Sequence, residues 1–384
     1  MKHRPLIVIF TVIIAVIAAQ LPAVVLAHTS TTIACKWGVI SSPNLGTTDN
    51  QLQGVAAISA NDVWAVDNVS PNSTTLHWNG ALWSIVTPAS PTGSTGITLL
   101  GIKATSTSDV WAVGSYYTQS GALQTLIEHW NGASWSVVAS PNATTQNWLA
   151  AISATAANNA WAVGTAFDVS YNSTTLVEHW NGSAWSIVSS PNPSSVSNQL
   201  SSVKAISASN VWAVGNSFVN TNFSPTLIEH WDGQSWSIVS SPFVASKTNY
   251  LFGVATVSAT NIWAVGYSVD SFQVSQTLIE HWNGTLWSIV SSPNGTGSSS
   301  NLRAIAVVSG KNIWAVGDAT DLNGDNTLVE HWNGTQWSIV TSPNPLQQSN
   351  ILQAVARVPG TGQVWAVGYA SSQVTDQTLT EFRC

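Results

Sequence analysis

The chain has 384 residues, of which 44% are hydrophobic and only 7% charged, with a formal net charge of −7. That acidic balance, with no run of Lys or Arg beyond the first residues, excludes a nucleic-acid partner, because neutralising phosphates takes clustered cations. Ser, Thr, Asn and Gly fill the gaps between short apolar runs, and no later stretch holds a helical period, so the class is all-β.

In chain order, the basic opening Met1-Lys2-His3-Arg4-Pro5 precedes an almost wholly apolar run over residues 6–19, and Val25-Leu26-Ala27 stands before His28. This is the layout of a secretory signal peptide cut after Ala27. An uncleaved anchor is the competing reading, although Gln20 and Pro22 interrupt the ~20 apolar residues a spanning helix needs. Either way the remainder is expected to be secreted or at the cell surface. Losing Lys2 and Arg4 with the leader takes the formal charge from −7 to −9. Residues 28–34 form a short segment before the repeats.

Residues 125–138 read T-L-I-E-H-W-N-G-A-S-W-S-V-V, two strand-forming runs around Asn131-Gly132. That dipeptide tolerates positive φ, so the stretch predicts a β-hairpin. Nearly the same words return around Trp180, Trp231, Trp282 and Trp332, and in shortened form around Trp78. A second marker, W-A-V, begins at Trp64, Trp111, Trp161, Trp212, Trp263, Trp314 and Trp365, with spacings of 47, 50 and then 51 residues. Each unit holds four short apolar segments; in the fourth copy they are residues 200–207, 210–215, 226–231 and 236–240. Four strands per unit is the content of one propeller blade.

The last copy stops at Thr378-Leu379-Thr380-Glu381-Phe382-Arg383-Cys384, without a fourth strand. The segment from Cys35 to Asn44, C-K-W-G-V-I-S-S-P-N, matches A-S-W-S-V-V-A-S-P-N at 133–142 and supplies it from the other end. Cys384 then falls at the place of Asn131 and Cys35 at that of Ala133, on opposite sides of a tight turn. A disulfide needs a Cα separation of ~4.4–6.8 Å, so Cys35 and Cys384 are predicted to be bonded across the chain ends.

Taken together, these units resemble a seven-bladed β-propeller of four-stranded antiparallel blades over residues 35–384, the last blade completed by the N-terminal strand. The period is kelch-like, but the kelch diglycine is absent. The G-x-x-W turn of Gly132 to Trp135 is similar to the Asp-box turn of sialidase-type propellers, with Trp130 where that motif has aspartate. The Trp-Asp dipeptide of the Trp-Asp-repeat propellers does not recur. The resemblance implies an architecture and no activity.

Comparing the copies separates scaffold from site. Every glutamate (Glu128, Glu178, Glu229, Glu280, Glu330, Glu381) holds one repeat position, as do His77, His129, His179, His230, His281 and His331. Residues that every blade needs are expected to form a packing and hydrogen-bond network. Apart from His28 at the expected mature N-terminus, no histidine is then left for a Ser-His-Asp or Cys-His arrangement. The unrepeated Asp168, Asp270, Asp318, Asp321, Asp325 and Asp376 keep a carbohydrate-active enzyme open as an alternative, which would need two carboxylates in distinct environments. A purely structural surface protein is the third reading.

In a propeller, the connections from second to third strand and from each blade to the next emerge at one end. Tyr116, Tyr117, Trp148, Phe167, Tyr171, Phe218, Phe223, Tyr250, Tyr267 and Phe272 lie in or beside those connections, with Phe243 and Tyr369. Loops held by a rigid scaffold commonly carry recognition, and rings give contact area with little entropy to lose. The leading expectation is therefore a non-catalytic module binding a glycan or an extracellular protein through these residues, against the alternative that the rings only cap the core. Lys103, Lys204, Arg303 and Arg357 fall on the predicted innermost strands and suggest a channel site for an anion, or local pairing. Asp321, Asn323 and Asp325 have the alternation that gathers oxygens around calcium, but Trp332 stands where the twelfth-position acid belongs. A weak calcium site or a polar turn both fit, and no other cofactor is indicated.

Overall fold

In the computed structural model, the described residues are 35–46, 49–69, 73–218, 224–372 and 375–384. The expected leader and the 28–34 segment lie outside them, as does Phe223. Cys35–Cys384 forms one compact unit.

The described residues contain 28 strands and no helix. They group by fours into seven blades: residues 52–86, 94–137, 146–187, 197–238, 248–289 and 299–339, and a seventh from 349–383 with 37–39. Each blade is an antiparallel meander, and single parallel contacts such as Gln146 to Leu123 and Asp325 to Ser349 join some blades to the next.

The strands differ in composition because they differ in surroundings. The second strand lies between two neighbouring blades and is covered on both faces, so Asn210–Phe218 is buried almost throughout and carries the apolar run Val211 to Gly215. The outer strand is exposed on one side, and Trp236–Ile238 buries only its tryptophan. The first strand, beside the central channel, alternates.

Two glycine positions that recur in most blades have a backbone reason. Gly132 sits at φ +97° in the third-to-fourth-strand turn, where Asn131 Oδ1 accepts from the Ala133 and Ser134 amides at 2.9 and 3.0 Å. The glycine closing W-A-V-G lies against the first strand at a register shift; a Cβ on Gly114 would meet the Thr98 carbonyl oxygen at 1.9 Å. Blade 1 carries Asp67 there, buried, with its Oδ1 accepting from the Thr74 amide at 2.7 Å.

Between blades, tryptophans pack together with Val, Leu, Ile and Ala, as where Trp111, Val113 and Ile127 meet Leu149, Ile152 and Trp185. Trp161 of blade 3 meets Trp231 and Trp236 of blade 4 at ring separations of 5.0 and 5.4 Å, tilted and edge-on, and stacks on His179 of its own blade at 4.2 Å. The same trio recurs from Trp64 with Trp130 and Trp135 to Trp263 with Trp332 and Trp337. The interface between blades 6 and 7 departs from it: Trp37 packs edge-on to Trp314 at 5.5 Å, and Arg383 replaces the other tryptophan, its guanidinium 4.4 Å from the Trp314 ring centre.

Closure follows the expected register. Trp37, Gly38 and Val39 pair with Arg383, Phe382 and Glu381, as Trp135 to Val137 pair with Trp130 to Glu128. Cys35 and Cys384 are bonded with a Cα separation of 5.3 Å. Thr378 Oγ1 lies 2.8 Å from Ser42 Oγ, repeating the Thr125–Ser140 contact of an ordinary blade.

Candidate functional site

The repeated polar residues belong to the common framework of the blades. All six glutamates are completely buried. Each faces the small alanine of W-A-V, as Glu128 pairs with Ala112 and Glu229 with Ala213, which leaves space for the carboxyl. Partners come from the preceding blade: the Ala89 amide donates to Glu128 at 2.9 Å, and the Ser140 hydroxyl to Glu178 at 3.1 and 3.3 Å. Ser190 stands beside Glu229, and Thr226 and Ser241 beside Glu280, closely enough to offset part of the upward shift that burial imposes, but no well-formed bond closes. Burial dominates and pushes all six to about 8, so at neutral pH they are protonated.

Each of the six repeated histidines is also satisfied within its blade. His77 and His129 Nε2 lie 2.9 and 2.8 Å from Asp62 and Asp109, and His179, His230, His281 and His331 lie 2.8–3.0 Å from Asn159, Asn210, Asn261 and Asn312. Partial burial lowers the pKa of the last four. These rings and the tryptophans gather where the first-to-second and third-to-fourth strand turns lie, here called the hairpin end.

The opposite loop end carries the unrepeated aromatics. Phe218, Tyr250, Phe252 and Tyr267 make one half-buried cluster across blades 4 and 5, with ring separations of 5.1–6.0 Å. Trp148 and Phe167 make a second within blade 3, at 4.6 Å. Tyr116 donates to Gln124 Oε1 at 2.5 Å, while Tyr117 beside it is 49% exposed. The turn tips project furthest: Val169 is 92% exposed, Tyr171 82% and Phe272 85%, and Leu322 is fully exposed. Asp168 and Asp270 build two of these turns, each accepting from two amides of its own loop at 2.8–3.1 Å, and Tyr171 is held at φ +62°.

Around the channel, Arg303 is separated from the other three basic residues. Its Nε donates to Asp318 Oδ1 at 2.5 Å, Asn301 supports the same carboxylate at 2.8 Å, and Tyr267 and Tyr369 are near enough to feel its charge. Arg303, Phe252 and Gln353 line a cavity of about 200 Å³ in the loop half of the channel. Lys103, Lys204 and Arg357 line a larger one, about 510 Å³, in the hairpin half.

The remaining acidic candidates have local partners. Asp321 accepts from the Asn323 amide and, at 2.9 Å, from Asn326; Asp325 accepts from Thr320 at 2.7 Å and Ser349 at 2.5 Å. Together with Asn323 they belong to a tight turn whose Gly324 has φ +130°, and no metal-competent acidic cluster occurs among the described residues. Asp376 accepts from Gln51 at 2.5 Å and from Ser371. Neither channel cavity is lined by an aspartate.

Sequence reasoning missed Phe252 and the aliphatic tips. Phe252 holds a first-strand position that carries Gln53, Leu100, Ala150, Ser201, Arg303 or Gln353 elsewhere. That departure from the repeat was the available signal. Val169 and Leu322 were overlooked because only rings were sought, although each is an apolar residue set between turn formers.

No known protein family and no curated protein matches the chain. Solved structures do match. One described as YCF48 bound to D1 peptide is 13% identical with a TM-score of 0.56, over 90% of this chain and 96% of that one. YCF48 from Cyanidioschyzon merolae is 13% identical with a TM-score of 0.54, over 90% and 98%. The WD40 β-propeller domain of Doa1 is 14% identical with a TM-score of 0.53, over 90% and 96%. At such identities the likeness is one of fold, and it agrees with the strand count and closure: the chain is a seven-bladed β-propeller.

Proposed function

We propose that this protein is an exported, non-catalytic binding module, with a leader over residues 1–27, a short segment over 28–34 and a propeller over 35–384, whose loop end engages another protein. The observation that carries the reading is the exposed set Tyr117, Val169, Tyr171, Phe272 and Leu322, contributed by the loops of blades 2, 3, 5 and 6 at one end of a rigid scaffold. Exposed apolar side chains carried by loops on a rigid scaffold are the usual material of a recognition surface. Aliphatic tips among the rings favour a polypeptide over a glycan, since sugars stack on flat aromatic faces and need polar partners beside them. A propeller of the same fold has been solved with a peptide bound. Export is supported by the basic-then-apolar start and by the disulfide, a bond at home in oxidising compartments. No helix among the described residues is long and apolar enough to cross a membrane.

The test is to present the mature protein to a peptide array and a glycan array in parallel, with a Tyr171→Ala/Phe272→Ala variant as control. Peptide binding that the variant loses while keeping its melting temperature is the expected result. Glycan binding alone would replace the partner class, and retention on both arrays by the variant would move the site elsewhere.

A further inference from the structure

The hairpin half of the channel has a composition that the scaffold does not require. Lys103 and Lys204 occupy the same place in the first strands of blades 2 and 4, four residues after the buried Leu99 and Leu200. The other five blades carry Ala56, Ser153, Ala255, Ala306 and Ala356 at that place. A ring of small residues therefore leaves the room that two lysines enter. Arg357, from blade 7, follows one position further along and is exposed toward the channel mouth. All three line the same cavity of about 510 Å³; its other residues are largely aliphatic by type, Val55, Ile102, Val254 and Val308 among them, but most of its accessible surface is polar.

These cations lack counter-charges. The ion pairs among the described residues are His77–Asp62, His129–Asp109 and Arg303–Asp318, and no acidic residue lines this cavity. Buried beside one another, like charges repel more than they would in bulk water. Burial and this mutual repulsion lower Lys103 and bring Lys204 to about 8. Lysines placed only to fill space would be replaced by apolar residues at lower electrostatic cost, whereas three converging, unpaired cations are stabilised together when an anion sits between them.

We propose that the hairpin half of the channel is a binding site for a small oxyanion carrying two or more negative charges, held by Lys103, Lys204 and Arg357. The cavity lies within the volume range of metabolite-sized sites, so a compact polycarboxylate fits better than a lone phosphate. The site is independent of the loop end.

Calorimetric titration of the mature protein with citrate, and separately with inorganic phosphate, at constant ionic strength tests this. Saturable one-site binding is expected, tighter for citrate. A Lys103→Gln/Lys204→Gln variant should weaken it by at least about tenfold, while melting no lower than wild type without anion, because like-charge repulsion is relieved. If that variant does not fold, Arg357→Gln at the open mouth is expected to weaken citrate binding by a comparable factor. The Tyr171→Ala/Phe272→Ala variant should bind citrate as wild type does. Phosphate binding without citrate would keep the site and assign it to phosphate. Absence of saturable heat for both anions, affinity unchanged by the channel substitutions, or equal stabilisation by chloride would overturn the proposal.

Discussion

The same strands build both ends of the propeller, yet the ends are made on different principles. At the hairpin end every blade interface repeats one solution: a buried tryptophan against two aromatic neighbours, with Arg383 as the single substitute, and a ring stacked on it from its own blade. At the loop end the aromatic and charged side chains differ from blade to blade, with Tyr117 in one, Trp148 and Phe167 in the next, then the Phe218–Tyr267 cluster and the Arg303–Asp318 pair. Packing demands recur with the blade and so do the residues that meet them; recognition is addressed once and leaves no period. Changes to the repeated residues at the hairpin end should therefore move stability, and changes to the exposed residues at the loop end should move binding.

The largest effect expected at the repeated end is collective and comes from pH. The glutamates titrate near 4.5 when unfolded and at about 8 when folded. Between those values the folded chain holds protons that the unfolded chain has released, so stability is fullest below about 4.5 and falls as pH rises to about 8. The buried Asp67, pushed up to about 6, acts in the same direction. The depressed histidines oppose it below about 6.5, but they are only half-buried and desolvated less. The maximum should lie at mildly acidic pH. A tenfold change in proton affinity is about 1.4 kcal/mol per carboxyl, so six groups together exceed any one substitution. Denaturation midpoints at pH 5.5, 7 and 9 should decline in that order, and Glu229→Gln, a neutral stand-in for the protonated acid, should flatten the decline. A rising series would show that these carboxyls are ionised in the fold.

Next is a single interface. Trp161 is 1% exposed and touches three rings, so Trp161→Ala should cost about 3–5 kcal/mol, read from chemical denaturation. A loss below about 1 kcal/mol would mean that blade packing tolerates a void and that the repeat answers to something else.

Closure of the ring comes third. The disulfide adds a covalent link to an outer strand already held by backbone pairing and by Trp37 against Trp314. Cys384→Ser should lower stability by about 2–4 kcal/mol and leave the fold intact. Unreduced peptide mapping should recover Cys35 and Cys384 in one species.

How far the sequence revealed this arrangement follows the same division. Blade number, strand order, the register of Trp37 with Arg383 and the cysteine pairing could be read from repetition alone, because each copy is an independent statement of the same local requirement. The protonation of the glutamates could not be read: it depends on complete burial between blades, which a repeat position does not reveal. Nor could the separation of Arg303 from Lys103, Lys204 and Arg357, since all four lie on first strands. Only the depth of each residue along its strand, three positions between Arg303 and the lysines, sends them to different halves of the channel. Phe252 was hidden by the opposite problem, a singular residue inside a regular strand.

The smallest stability effect belongs to the loop tips, and it is the one that most sharpens the contrast between the ends. Tyr171 and Phe272 are more than four-fifths exposed, and their turns are built by Asp168 and Asp270 accepting amides rather than by the rings. Truncating either ring leaves no cavity and unsatisfies no buried group, so Tyr171→Ala and Phe272→Ala should each change stability by less than about 0.5 kcal/mol. Tyr171 sits at φ +62°, a strained value for any residue but glycine, so Tyr171→Gly should stabilise the turn slightly while removing the same ring. If the tips are the recognition surface, both substitutions at Tyr171 weaken partner binding to the same degree, by about tenfold or more, equivalent to 1.4 kcal/mol. Should Tyr171→Ala lose stability in step with binding, the ring would be part of the scaffold and the division between the two ends would fail at that blade.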